Sequence, residues 1–238
     1  MTTDLALRLR EGTRQAHTLA ESADFIKCFL KGVVEKTSYR KLLANFYFVY
    51  GTLEAALEQH RDHPILKSLH QPVLFRKQSL ERDLSYYYGK DWQTQVAPSP
   101  ACRVYLERIQ EISTCEPTLL IAHCYTRYMG DLSGGQILKG IAERGMNLTG
   151  GEGTAFYRFE AISDEKVFKA NYRQTLDSLP LTPEQVEAIV LEANRSFQFN
   201  MGLFQELEGS LIKAIGQMLF HSLTRRTPRQ QPVVVVEG

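Results

Sequence analysis

The stretch HCYTRYMGDLSGGQILKGIAERG, residues 123–145, decides how this chain is read. Its apolar and charged residues recur at helical spacing, yet glycine stands at Gly130, Gly134, Gly135 and Gly140. A glycine inside a helix costs roughly 0.5–1 kcal/mol relative to alanine. Three of these fall within about one and a half turns. Gly130 and Gly134, four apart, share one stripe and leave a helix face without side chains, which a flat partner can approach. A phosphate-binding loop is a poor reading of GDLSGG, because no Lys-Ser/Thr follows the glycines and no buried strand precedes them. A bend made for helix packing is the plainer alternative.

Outward from this stretch, helical signals continue on both sides. Upstream, a first segment runs from about Asp4 into the low twenties, and DFIKCFLKG forms a short helix stopped by Gly32. TSYRKLLANFYFVYGTLEAALEQHR is a long helix ended by the His63-Pro64 pair, and PVLFRKQSLERDLSYYYG another ending at Gly89. SPACRVYLERIQEIS opens with Ser99 as N-cap and Pro100 at the first helical position. Downstream, the loop MNLTGGEG and a short aromatic segment lead to a helix begun near Ser163. The last helix starts at a Thr182/Gln185 capping box. No internal repeat and no sustained period-2 alternation appears. The expectation is an all-α single domain over residues 1–223, with TRRTPRQQPVVVVEG, residues 224–238, as a mobile tail.

Composition narrows the function. Lys and Arg total 28 against 27 Asp and Glu, so a broad nucleic-acid-binding surface is not expected. Cys28, Cys102, Cys115 and Cys124 form no CxxC pair and read as reduced thiols in a reducing compartment. The N-terminus lacks the apolar run of a signal peptide, and no stretch approaches the length of about 20 residues needed to span a bilayer. A cytoplasmic protein without a transmembrane anchor is expected.

Several residues are candidates for chemistry. Arg127 and Asp131 flank the glycine stripe at i, i+4; they read either as a solvated ion pair or as a polar site beside the bare face. Of the six histidines, His60, His63 and His70 fall around a turn-rich loop and read as exposed. His123 adjoins the glycine stretch but serves equally as a core histidine. His17 shares a helix face with Thr13, Glu21 and Arg10, and a carboxylate one turn away can orient an imidazole; a solvated face remains the alternative. Lys169 and Arg173, at i, i+4, suit an anionic group or plain solvation. Phe197 and Phe204, with Asn200 between them, read as core.

Taken together, AHCYTRYMGDLSGGQILKGIA resembles the distal-helix signature of the heme oxygenases, and LREGTRQAHTLAESADF their proximal helix. The resemblance covers nearly the whole chain except the tail. It implies a helical bundle holding heme b between a proximal helix and a kinked distal helix. It implies His17, not His123, as axial ligand of the iron, with Glu21 on the other ring nitrogen directly or through water. Gly130 and Gly134 would lie against the distal face, and Asp131 would be the catalytic carboxylate acting through water. Arg127, Tyr50 and Tyr105 match the supporting network. Arg10, Tyr125, Lys169 and Arg173 match residues that meet the propionates; Arg10 stands where some members have lysine. Phe197, Asn200 and Phe204 match the distal wall, and Thr126 the heme contacts beside Tyr125. The implied reaction opens heme with O2 to biliverdin IXα, carbon monoxide and iron.

No flavin or iron–sulfur motif occurs, so electrons would come from a partner. The resemblance implies reduced ferredoxin, as in bilin pigment synthesis, with a flavoprotein reductase as the alternative. Three other readings compete: a heme carrier or sensor, a thiamin-degrading enzyme of related fold, and a helical interaction module. Proton delivery by Asp131 separates the enzyme from a carrier. The thiamin chemistry would need an activated cysteine, and none has a recognisable activating neighbour.

Overall fold

The computed structural model describes residues 3–224, with side chains through Leu207. Its helices are α1 (Leu5–Gly12), α2 (Arg14–Glu21), α3 (Asp24–Leu30), α4 (Lys36–Gln59), α5 (Lys77–Tyr88), α6 (Pro100–Cys115), α7 (Leu120–Cys124), α8 (Gly130–Gly145), α9 (Glu165–Asp177) and α10 (Pro183–Thr224). No strand occurs among the described residues, and none of the described helices is long and apolar enough to cross a membrane. Apart from Thr224, the expected tail lies outside the described residues.

The helix ends follow their capping chemistry. Ser99 Oγ accepts the Cys102 amide at 3.2 Å ahead of Pro100. Thr182 and Gln185 exchange two hydrogen bonds at 3.0 and 3.3 Å, closing the capping box that starts α10. Three boundaries depart from the sequence reading. The first segment is two helices, because Thr13 leaves helical geometry (φ −103°, ψ 0°) while its hydroxyl donates to Leu9 O at 2.7 Å. α5 begins at Lys77 because Pro72–Leu74 is a 3₁₀ turn followed by an extended Phe75. The α9 cap is Asp164, which accepts from Lys166 and Val167 at 2.9 and 3.0 Å, one residue after the expected Ser163.

α4 is the spine of the bundle: Tyr39, Leu43, Val49, Tyr50, Leu53 and Leu57 are fully buried along it. It packs against α5 and α6, while α10 packs against α1, α2, α3, α4, α6 and α7. α10 therefore backs both α2 and the segment that leads into α8. In the glycine loop, Gly153 takes φ 74°, and a Cβ there would stand 2.6 Å from the Tyr87 hydroxyl. That hydroxyl donates to Gly153 O at 3.1 Å, tying the loop to α5. The four cysteines are free, with Cys102 and Cys124 buried. His60 and His70 are not simply exposed: His60 Nε2 lies 2.8 Å from Ser113 O, and His70 Nε2 lies 2.7 Å from Glu58.

Candidate functional site: a cavity between two helices

The opening stretch is helical throughout but not uniformly α-helical. Between α7 and α8 the chain makes a π-helical turn over Tyr125–Met129. Such turns bend helices and collect at functional sites. Here four successive side chains, from Thr126 to Met129, are buried. A segment packed on so many sides needs polar partners for its polar residues.

Those partners come from α10, where Glu192, Ser196 and Asn200 lie one turn apart on one face. Glu192 Oε1 lies 3.2 Å from His123 Nε2, and Ser196 Oγ lies 2.6 Å from Thr126 Oγ1. Asn200 Oδ1 accepts from the Arg127 guanidinium. Tyr105 of α6 closes the seam, at 2.9 Å from Ser196 Oγ and 3.3 Å from His123 Nδ1. Burial lowers the His123 pKa despite Glu192, so the ring is neutral. Its one N–H then goes to Glu192, Tyr105 donates to Nδ1, and Ser196 donates to Tyr105. Burial alone would raise the Glu192 carboxyl, but bonds from His123 and Arg108 outweigh it and hold it at about 2. This seam assigns His123 to the core.

Arg127 extends the seam toward Asp131. Its Nε donates to the Tyr50 hydroxyl at 2.9 Å, and Tyr50 in turn donates to Asp131 Oδ2. The second guanidinium nitrogen lies 3.7 Å from Asp131 Oδ1. The guanidinium sits 4.4 Å over the Phe46 ring. This is no solvated surface pair: the two side chains are 8% and 11% exposed. Burial raises the Asp131 pKa, against the pull of Arg127, the Tyr50 hydrogen bond and Arg76.

Below Asp131 opens a cavity of about 440 Å³. α8 contributes Gly130, Asp131 and Gly134 to its lining, and α2 and α3 contribute His17, Glu21 and Phe25. A Cβ on Gly130 or Gly134 would meet nothing within 4 Å, so the bare helix face looks into open space. The His17 side chain is 56% exposed; its Nδ1 is 3.7 Å from Glu21 Oε1, longer than a direct hydrogen bond. Phe197 meets the His17 ring edge-on, with centroids 5.6 Å apart. Phe204 stacks on Phe25 at 6.1 Å. Thr126 and Arg127 also reach the cavity.

Other expected residues stand behind the wall or beside it. Tyr50 and Asn200 are buried and hold Arg127 and Asp131, which line the cavity, while buried Tyr105 bonds Ser196 and His123 behind it. Tyr125 is half-buried; burial raises its pKa, and the positive charges of Arg173 and Arg10 oppose that shift. Among the described residues neither arginine makes an ion pair. Lys169 Nζ donates to Leu132 O at 3.2 Å, placing its ammonium against α8. A bare helix face and an imidazole in one lining suit a flat ligand, whereas Arg10, Tyr125, Lys169 and Arg173 are not among the residues that line this cavity. A second cavity, of about 460 Å³ between α4 and α6, has no imidazole or carboxylate in its lining.

Sequence reasoning missed Glu192 and Ser196, although their spacing with Asn200 inside an apolar helix was a visible polar stripe. It also missed Phe46, Phe156 and Tyr157, which line the cavity from α4 and the turn after the glycine loop; no local pattern marks them.

Comparison with known proteins agrees with this geometry. Residues 3–206 match the heme oxygenase family. Heme oxygenase 1 of Nostoc sp. is 61% identical over 96% of both chains. Heme oxygenase 1 of Synechocystis sp. is 56% identical over 95% of this chain and 94% of its own. The crystal structure of the Synechocystis heme oxygenase-1 in complex with heme superposes with a TM-score of 0.92 at 55% identity, covering 93% of this chain and all of the other. Similarity of that extent leaves no part of the cavity outside the match, and the chain belongs to the heme oxygenase family.

Proposed function

We propose that the chain cleaves heme at the α-meso carbon to biliverdin IXα, carbon monoxide and ferrous iron, with O2 and electrons from reduced ferredoxin, and so feeds bilin pigment synthesis. The observation that carries this reading is one cavity whose lining brings together the His17 imidazole, the bare Gly130/Gly134 face and Asp131. When bound, heme supplies both the iron at which O2 is activated and the ring that is opened.

The protein's own residues divide the remaining work. His17 would offer a ring nitrogen to the iron, and Glu21, 3.7 Å from Nδ1, would hold the other directly or through water. Arg10, Arg173 and Lys169, with Tyr125, draw the propionates to one edge and fix the rotation of the ring. Gly130 and Gly134 let the macrocycle approach the α8 backbone. Asp131 Oδ2 is held by Tyr50, which leaves Oδ1 to hold a proton or order a water. Burial gives that carboxyl an affinity for protons above the ordinary range. Arg127, fixed by Tyr50 and Asn200, keeps the carboxylate in place. Ferredoxin as donor is supported by kinship to proteins of Nostoc and a cyanobacterial Synechocystis.

Mixing the protein with hemin, recording the Soret band and adding reduced ferredoxin under air tests the reading. Biliverdin IXα and carbon monoxide are expected, faster than with a flavoprotein reductase. A hemin complex that never degrades would establish a carrier instead, and a different biliverdin isomer would overturn the regiochemistry.

Gly134→Ala separates the ligand role of the bare face from its structural role. The new methyl meets open space, so the unliganded chain should gain roughly 0.5–1 kcal/mol. Hemin affinity should fall, because the methyl occupies the approach of the ring. Thermal unfolding without hemin and a Soret titration measure the two effects. Gain in stability with unchanged affinity would place the ring elsewhere.

A further inference from the structure

Behind the cavity, the short turn Ala155–Tyr157 brings Phe156 and Tyr157 to its lining. Two buried charges grip the backbone around this turn. Asp83 of α5, 1% exposed, accepts from both the Ala155 and the Phe156 amide at 2.8 Å. Arg76, 5% exposed, takes the carbonyl side, donating to Arg158 O at 2.6 Å and Phe156 O at 3.4 Å. Its remaining nitrogens donate to Leu74 O at 2.9 Å and Val73 O at 3.3 Å. The guanidinium lies 3.8 Å over the Phe159 ring. Glu54 of α4 anchors the assembly from behind by accepting the Arg76 and Lys77 amides.

None of Arg76, Asp83 or Glu54 lines the cavity. Their grip reaches it through the turn. The Phe156 ring packs edge-on against Tyr50 at 5.5 Å and, tilted, against Phe46 at 5.5 Å, the ring that carries the Arg127 guanidinium. On the other side, Tyr157 O accepts from Gln136 at 3.2 Å. A Cβ on Gly135 would lie 3.4 Å from the Tyr157 ring, so α8 rests on that ring. The turn thus touches both the hydroxyl donor of Asp131 and the helix that carries Asp131. Buried charges are a poor source of stability compared with well-packed apolar residues, so stability alone does not explain them.

We propose that Arg76 and Asp83 are positioning residues for Asp131: by fixing the 155–158 backbone they wedge Phe156 against Tyr50 and set α8 at working distance. This rests on the proposed role of Asp131. Arg76 also acts on Asp131 through its charge, pulling the carboxyl down against burial.

The test is a double-substitution cycle on the full chain, with Arg76→Lys and Asp131→Ala alone and together. Lysine keeps the charge but loses the planar fork that reaches several carbonyls. Arg76→Lys should slow single-turnover biliverdin formation about tenfold or more, as expected for a displacement near 1 Å. Its hemin affinity should stay within about threefold, since Arg76 touches no ligand. Without hemin, the Ala155 and Phe156 amides should exchange faster while those of α6 stay unchanged. In the Asp131→Ala background the same substitution should change the rate less than about twofold. Equal losses in both backgrounds, or unchanged exchange and rate, would overturn the proposal. An undiminished rate in Asp131→Ala alone would instead refute the role of Asp131. If Arg76→Lys does not fold, Phe156→Leu trims the wedge directly and must show the same coupling; independence from Asp131 would overturn the proposal equally.

Discussion

Asp131→Ala is expected to bind hemin and fail to open it, with biliverdin formation reduced about 10²–10⁴-fold, the usual range for a lost general acid–base group. Hemin retention follows because the imidazole, the bare α8 face and the cationic side chains near Tyr125 are untouched. The loss follows from what surrounds the carboxyl. Tyr50 donates to one oxygen and Arg127 stands 3.7 Å from the other, and among the described residues that line the cavity the one other carboxylate, Glu21, stands beside His17. Alanine leaves Tyr50 without its acceptor and Arg127 without its counter-charge, and the polar edge of the cavity would fill with disordered water. Single-turnover spectra with a defined electron donor read the effect. A rate within about twofold of the unsubstituted protein would remove Asp131 from the mechanism.

His17→Ala should keep the fold and lose the axial ligand. Its side chain is more than half exposed, so the stability change should stay within about 0.5 kcal/mol. The ferric Soret and charge-transfer bands should shift away from a nitrogen-ligated spectrum, and ring opening should fall below detection. The site freed by the imidazole faces the cavity and solvent. Added imidazole should therefore enter it and restore both the spectrum and part of the turnover. A ferric spectrum unchanged by the substitution would mean that another residue binds the iron. His123 is excluded from that part by its position between Tyr105 and Glu192.

Much of this was legible from residues alone because helix chemistry is local. The Ser99-Pro100 start and the Thr182/Gln185 box rest on contacts within three residues, and a sequence shows such contacts directly. The break at Thr13 was not legible, because Leu5, Leu9 and Ala20 keep a helical rhythm on either side of a single non-helical residue. In the site, spacing revealed the bare face and the Arg127–Asp131 pair but could not reveal their burial. Whether that pair is solvated or enclosed depends on Tyr50, Phe46 and Asn200, far away along the chain. Arg76 and Asp83 were invisible for the same reason: each acts on backbone groups of a turn more than 70 positions later. The choice of His17 over His123 came from the resemblance: His17 has the more suggestive helix neighbours, but spacing alone left a solvated face as its alternative.

The polar seam also dictates when the site can come into being. Its rungs join residues 69, 70 and 73 positions apart, all ending on α10. During synthesis the segment carrying Arg127 and Asp131 leaves the ribosome well before Glu192, Ser196 and Asn200. Until that last helix arrives, Arg127 has no Asn200 and His123 no carboxylate, and closing loops of this length is the slower part of folding. A nascent chain can display the His17 imidazole early, but the machinery beside Asp131 is completed last. The order of translation thus keeps an oxygen-activating centre unassembled until the whole enclosure exists.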